Sequence, residues 1–195
     1  MPTSVMTREL PMIKNKLYRL VLAIALISPA LANAEDATIQ FSLTEQSRWV
    51  YFSDQVMGGV SEGQATLEQI DDRPVLRLSG MVSTANRGGF IQVRTTLDAP
   101  LPATAQGVIL NVRGNDQTYF IHLRTTRTLL PWQFYQASFE VSEAWQEVRI
   151  PFTDFNPYGR LVGKTFNVES VRSLAIAAFG RDHNADLSVR AVGFY

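Results

Sequence analysis

The sequence predicts an all-β protein built as a β-sandwich or a barrel. Short segments after residue 40 alternate apolar and polar side chains, as at residues 75–79 and 119–124. Turn-forming residues such as those at 71–74 and 156–159 separate these segments roughly every 10 to 15 residues. No stretch there has the period of an amphipathic helix. These three observations favour half-buried antiparallel strands in two layers.

The first residues predict a secretory signal peptide. Lys14, Lys16 and Arg19 precede an apolar run at residues 20–32, and the small residues Ala32 and Ala34 follow a proline. This order of a basic, an apolar and a small-residue region is typical of signal peptides. The apolar run is shorter than the roughly 20 residues that span a bilayer, although an uncleaved anchor is the alternative.

The predicted organisation is therefore a signal peptide at residues 1–34, cleaved after Ala34, and one domain at residues 35–195. Met12 is an alternative start, because the residues before it add nothing that export requires. We expect an exported protein that is periplasmic or secreted.

The strands can be placed in order along the domain. Alternation predicts strands at residues 75–79, 92–94, 108–113 and 119–124. The continuous apolar run at residues 174–179 predicts a central strand covered on both faces. Residues 187–195 predict a terminal strand that pairs deep in the sheet, close to the first strand. One helical turn is expected within residues 168–173.

Composition excludes several classes of function. The chain has no cysteine and a formal net charge of zero, and basic residues outnumber acidic ones before residue 35 but not after it. Disulfides and thiolate chemistry are therefore excluded, and no basic patch predicts a nucleic-acid partner. Neither a phosphate-binding glycine loop nor a dinucleotide fingerprint is present, so no cofactor is expected.

Two Gly-Gly pairs, at residues 58–59 and 88–89, predict tight turns at the edge of a sheet. Asp54 can accept backbone N–H groups and fix the first loop, with Met57 packed beneath it and Ser61 closing the turn. We expect a positive φ at Gly59. A loop that contacts a ligand or partner is the alternative.

These blocks resemble the complex I intermediate-associated protein 30 (CIA30) domain family over residues 49–195. The matching residues are Asp54, Met57, Gly58, Gly59, Ser61, Gly88, Gly89, Phe90, Gly114, Asp116, Tyr119 and the segment 145–152. The resemblance implies a jelly-roll β-sandwich of the galactose-binding-like type, which carbohydrate-binding modules also have. Its best-known members are chaperones of respiratory complex I assembly. It therefore implies non-catalytic contact with a protein, such as a subunit of a membrane or respiratory complex.

Alternation also predicts a binding face on the domain. The residues expected to point outward on neighbouring strands are Gln92, Arg94, His122, Arg124, Gln133 and Tyr135. Aromatic, amide and guanidinium groups of this kind suit a peptide or a carbohydrate. An ordinary solvated sheet face is the alternative, and an exported carbohydrate-binding module is the second hypothesis for function.

Catalytic and metal sites are not expected. His122 and His183 are the only histidines, and no G-x-S-x-G nucleophile motif is present. Residues 182–186 read D-x-N-x-D but lack the glycine and glutamate of a calcium loop. A hydrolase using carboxylates among Glu140, Glu143, Glu147 and Asp154 is the third and least favoured hypothesis.

Overall fold

The computed structural model of the protein describes Met1 and residues 39–195. The predicted signal peptide, the alternative start at Met12 and the cleavage site after Ala34 lie outside the described residues. Within the described part of the chain, none of the helices has the length and apolar character needed to cross a membrane.

The all-β prediction is confirmed, because every helical segment among the described residues is a short 3-10 turn. The strands are β1 Ile39–Gln40, β2 Val50–Ser53, β3 Glu62–Ile70, β4 Arg73–Val82, β5 Phe90–Thr96, β6 Gly107–Gly114, β7 Thr118–Thr125, β8 Phe134–Glu140, β9 Gln146–Pro151, β10 Asn156–Tyr158, β11 Val171–Phe179 and β12 His183–Phe194. The expected helical turn is confirmed at Val168–Ser170, directly before β11.

The strands form two antiparallel sheets. Sheet A has the order β3-β4-β12-β6-β9, with β1 paired to the end of β12. Sheet B has the order β10-β8-β7-β11-β5-β2. Alternate residues of both sheets meet in one apolar core, in which Leu110, Leu187 and Phe194 of sheet A join Ile121 and Ile176 of sheet B. This two-sheet arrangement is that of a jelly-roll sandwich.

The last two strands lie inside the sheets, as the sequence predicts. β11 lies between β7 and β5, and its residues 173–178 are all buried. β12 lies between β4 and β6, and its end also pairs with β1 through Ile39 and Phe194. Both faces of β11 are covered, which explains why its sequence is apolar without alternation.

Candidate functional site

Asp54 is the centre of the first Gly-Gly loop. Its side chain is fully buried, and Oδ1 accepts a hydrogen bond from the Ser61 amide at 2.9 Å. Oδ2 accepts hydrogen bonds from the Ser61 hydroxyl at 2.5 Å and from the amides of Gly89 and Phe90 at 2.6 and 3.2 Å. Burial acts to raise the pKa of Asp54, but these donors outweigh it and lower the pKa below its ordinary value. Asp54 therefore fixes the first loop, as the sequence predicts, and it also joins this loop to the second Gly-Gly loop.

Two glycines are needed because of this carboxylate. A Cβ atom at Gly59 or at Gly88 would overlap the Asp54 carboxyl group. The expectation of a positive φ at Gly59 is wrong: Gly58 has the left-handed conformation, with φ of 90°. Close approach of the backbone to Asp54, rather than backbone dihedral angle, requires glycine at Gly59.

Met57 does not pack beneath the loop, so that prediction is wrong. The loop is held by polar contacts to Asp54, and Met57 is 57% exposed beside Val56, which is 73% exposed. The first Gly-Gly loop thus presents apolar side chains to solvent.

The turn between β6 and β7 is held against β12 by three residues of the family motif, Gly114, Asp116 and Tyr119. The Tyr119 hydroxyl donates to Asn115 Oδ1 at 2.7 Å and accepts from the Asp186 amide at 2.8 Å. Burial raises the pKa of Tyr119 to about 12. Asp116 occupies the turn with φ of 54°, and a Cβ at Gly114 would press against the Asp186 carbonyl oxygen. These family-motif residues hold the fold together.

The outer face of sheet B, which points away from the core, brings together most of the predicted binding residues. Register places them in rows across β7, β11 and β5, namely His122–Ala175–Arg94 and Phe120–Ala177–Gln92. Arg124 lies on the same face, opposite Ser173. The central positions of these rows are alanines, which leave room for larger neighbouring side chains to meet above them.

Gln133 and Tyr135 do not lie on this face, so their predicted placement is wrong. Tyr135 is in the core, where its ring contacts Phe166 and its hydroxyl donates to the Gly163 carbonyl at 2.8 Å. Gln133 is buried and accepts from the Leu130 amide while donating to the Arg160 carbonyl. Gln133 therefore fixes the loops at residues 126–133 and 159–166 to each other.

An aromatic cluster occupies the centre of the outer face of sheet B. Its members are Phe120, His122, Phe134, Tyr158 and Phe179. The His122 ring stacks on Phe134 with 4.0 Å between ring centroids, and Phe134 stacks on Tyr158 at 4.7 Å. The edge of the cluster is open, because Tyr158 is 41% exposed.

Several buried polar atoms beside this cluster lack a hydrogen-bond partner within residues 39–195. They are His122 Nε2, Arg124 Nε and Gln136 Oε1. Gln136 lies opposite His122 in the register, and Arg124 follows two residues after His122 on the same face. Burial lowers the pKa of His122 to about 3, so its ring is neutral at pH 7. Buried donors and acceptors without a partner are rare in native proteins, and three of them lie beside this cluster.

An apolar rim borders the cluster on the two loops that Gln133 joins. We define it as Leu129, Leu130, Trp132 and Leu161, which are 81%, 41%, 52% and 95% exposed. Exposed large apolar side chains at one place mark a surface that binds another molecule.

An arginine pocket of about 310 Å³ opens at the other side of Arg124. It is lined by Arg94, Thr96, Arg124, Thr125, Thr128, Arg172 and Ser173. The lining therefore contains three arginines and no carboxylate.

Sequence reasoning missed Phe134, Tyr158, Phe179 and Arg172. Phe134 is next to Tyr135 in the sequence. Because both are aromatic, the sequence pattern does not indicate which of the two side chains faces the core. Tyr158 lies beside Pro157 and Gly159, a pattern that indicates a turn. Arg172 lies at a β-bulge, where alternation is interrupted.

The D-x-N-x-D segment and most of the acidic residues of the hydrolase hypothesis make local contacts within the fold. Asp182 accepts hydrogen bonds from the amide and hydroxyl of Thr84, and Asp186 forms an ion pair with Arg77. The described residues contain no group of histidine, cysteine and acidic side chains that could hold a metal ion. Among the carboxylates of the hydrolase hypothesis, Glu147 forms an ion pair with Arg149.

Solved structures with this fold include carbohydrate-binding modules. A family 11 module from Clostridium thermocellum, in complex with a β-1,3-1,4-mixed-linked tetrasaccharide, aligns with a TM-score of 0.64 and 11% identity, over 80% of this chain and 93% of that chain. The family 11 module of a cellulosomal cellulase of the same organism aligns with a TM-score of 0.60 and 11% sequence identity. The alignment covers 75% of this chain and 86% of that chain. An agarase aligns with a TM-score of 0.51 and 6% sequence identity. The alignment covers 78% of this chain and 24% of the agarase chain. At these identities the likeness shows the fold alone.

Sequence comparison gives the family. No curated protein sequence matches this one. The model of one family matches residues 39–189, a span that includes the Asp54 loop, the second Gly-Gly loop and the Tyr119 turn. The chain belongs to the Complex I intermediate-associated protein 30 (CIA30) family.

Proposed function

We propose that this protein is a non-catalytic binding protein of the assembly-factor type, which contacts a protein partner through the outer face of sheet B. The apolar rim is the observation that carries the proposal. As an exported protein it would meet a subunit of a membrane or respiratory complex outside the cytoplasm.

The rim favours a protein over a sugar. Leu129, Leu130 and Leu161 offer aliphatic surface, which packs against apolar side chains and gains little from a hydroxyl-rich sugar. Trp132 is of the residue type that most often contributes strongly to protein interfaces. The hydrogen bonds of Gln133 to both loops hold the rim in place before a partner arrives, which lowers the entropy cost of binding.

In-cell crosslinking of the tagged full chain tests this proposal. The double variant Trp132→Ser, Leu161→Ser removes two exposed apolar side chains from the rim. We expect wild type to capture one membrane complex reproducibly, and the double variant to capture at least about tenfold less, as for loss of interface anchors. Melting temperatures should stay close, because Leu161 is almost fully exposed and Trp132 is half exposed.

The matched control is the double variant Val56→Ser, Met57→Ser, which removes exposed apolar surface from the first Gly-Gly loop. Capture that survives this change but not the rim change supports the proposal. Equal capture by wild type and the rim variant would refute it, as would equal loss in both variants.

A second candidate function is carbohydrate binding, and the Tyr158 ring is the observation that favours it. One face of the ring stacks on Phe134 while the residue remains 41% exposed, and sugars bind in proteins to exposed aromatic faces. Titration with soluble β-glucan oligosaccharides tests it. Saturable binding that Tyr158→Ala abolishes would favour this function over protein contact, and the absence of saturable binding by equilibrium dialysis would exclude these sugars.

A further inference from the structure

The guanidinium groups of the arginine pocket have little to balance their charge. Within residues 39–195, the Arg94 and Arg172 side chains make no hydrogen bond or ion pair, although Arg94 lies over the Phe52 ring at 4.4 Å. Glu45 lines a neighbouring depression with Arg94 without forming an ion pair to it. Burial and the positive charge of Arg124 both lower the pKa of Arg94. The cations therefore repel each other across a common pocket.

The same pocket offers neutral donors. The hydroxyl groups of Thr96 and Ser173 line it and make no hydrogen bond to other described residues. Ser173 lies between Arg124 and Thr96 in the register of sheet B. Planar guanidinium groups and hydroxyls around one space are the donor set that binds a carboxylate, because an anion accepts from both and offsets the repulsion.

Arg124 connects the pocket with the apolar rim. Its Nη2 donates to the carbonyl oxygens of Thr128 and Leu130 at 2.9 and 3.1 Å, while its Nε has no partner among the described residues. The loop that presents Leu129 and Leu130 thus begins at the wall of the pocket. A ligand that reaches both would carry an acidic group beside an aliphatic one, which a peptide does and a glycan does not.

We propose that the arginine pocket binds an Asp or Glu side chain of the protein partner, next to leucine-like side chains that pack on the apolar rim. This assignment rests on the proposed function and adds the chemistry of the partner segment: an acidic, apolar peptide.

Peptide titration of the full chain tests the proposal, with tryptophan fluorescence, to which the exposed Trp132 contributes, as the readout. The probes are acetyl-Leu-Glu-Leu-Glu-Leu-amide, the same peptide with glutamine at both glutamate positions, and trigalacturonate. We expect the glutamate peptide to bind at least about tenfold more tightly than the glutamine peptide, since a hydrogen bond to a charged group contributes that much. Arg94→Gln and Arg172→Gln should each weaken its binding by a similar factor.

Arg73→Gln is the control, because it removes the same charge from an exposed position on sheet A. Arg172→Gln should also leave the melting temperature unchanged. If Arg172 stabilised the fold instead, the substitution would lower the melting temperature. The proposal is overturned if the two peptides bind alike, if the glutamate peptide does not bind, if Arg73→Gln weakens binding as much as the pocket variants, or if trigalacturonate binds more tightly than the peptide.

Failure of this inference can be told from failure of the proposed function. Membrane-complex capture that depends on the rim but survives Arg172→Gln would refute the pocket assignment alone. Arginine-dependent peptide binding without capture of any complex would leave the pocket assignment intact and remove the assembly role.

Discussion

The buried Asp54 carboxylate restricts which residues can occupy the two loops around it. Its oxygens accept four hydrogen bonds from Ser61, Gly89 and Phe90. Because the donors come from two loops, the carboxylate fixes both Gly-Gly turns in one arrangement. A backbone that supplies donors at such close range leaves no space for side chains at Gly59 and Gly88.

Gly59→Ala should therefore destabilise the protein. The new methyl group would overlap the Asp54 carboxyl group, and we expect a loss of about 1–3 kcal/mol, the usual range for overfilling a packed site. Urea unfolding measures the loss. Met57→Ser, in the same loop but exposed, should change stability by less than about 0.5 kcal/mol. Equal stability of Gly59→Ala and wild type would contradict the geometry of this loop.

At the scale of elements, the β3–β4 hairpin stores strain in its turn. Asp71 and Asp72 both have positive φ, of 52° and 58°, between the paired residues Ile70 and Arg73. These dihedral angles belong to a type I′ turn, which favours glycine at its second position.

Asp72→Gly should stabilise the protein by about 1 kcal/mol, because glycine adopts the left-handed conformation without the penalty of a Cβ atom. Thermal unfolding checks the gain. Asp72→Ala is the control: it removes the same charge but keeps the strained conformation. If alanine stabilises as much as glycine, charge rather than backbone strain accounts for the effect.

Strands were predictable where one face is buried and the other is not. Alternation placed β5 and β7 with the correct facing, so Gln92, Arg94, His122 and Arg124 were expected on the face that they share. The terminal strand and the apolar β11 were also predicted correctly, because burial on both faces selects apolar side chains throughout.

Predictions failed where neighbouring residues have similar polarity or where polar contacts decide the packing. Phe134 and Tyr135 are both buried, so the sequence did not show which one faces the core. The choice depends on the Tyr135 hydroxyl reaching the Gly163 carbonyl, a contact far along the chain. Met57 was expected inside because it is apolar, yet hydrogen bonds to Asp54 hold the loop and Met57 is exposed.

For the whole molecule, burial of His122 makes stability depend on pH. Burial lowers the pKa of His122 from 6.5 to about 3, so the unfolded chain binds a proton at mildly acidic pH that the folded protein does not. Stability is therefore complete above pH 6.5 and falls as the pH drops towards 3.

We expect His122 to account for a loss of up to about 1.4 kcal/mol per pH unit between pH 6 and 4. Urea unfolding of wild type and His122→Gln across this range measures it, and the variant should lose less stability per pH unit. His183, whose pKa is also lowered by burial, contributes in the same direction in both proteins. Asp54, with its lowered carboxyl pKa, acts at lower pH. Parallel pH curves would contradict the burial of His122.

The central strand of each sheet is the latest strand of that sheet in the sequence, and this has a consequence for the newly made protein. β11 completes sheet B and β12 completes sheet A, so neither sheet can close while the ribosome is still making Val171–Phe194. Each sheet therefore stays incomplete until its central strand has left the ribosome. A chain that folds late can cross a narrow translocation channel while it is still unfolded. Export directed by the predicted signal peptide would require this.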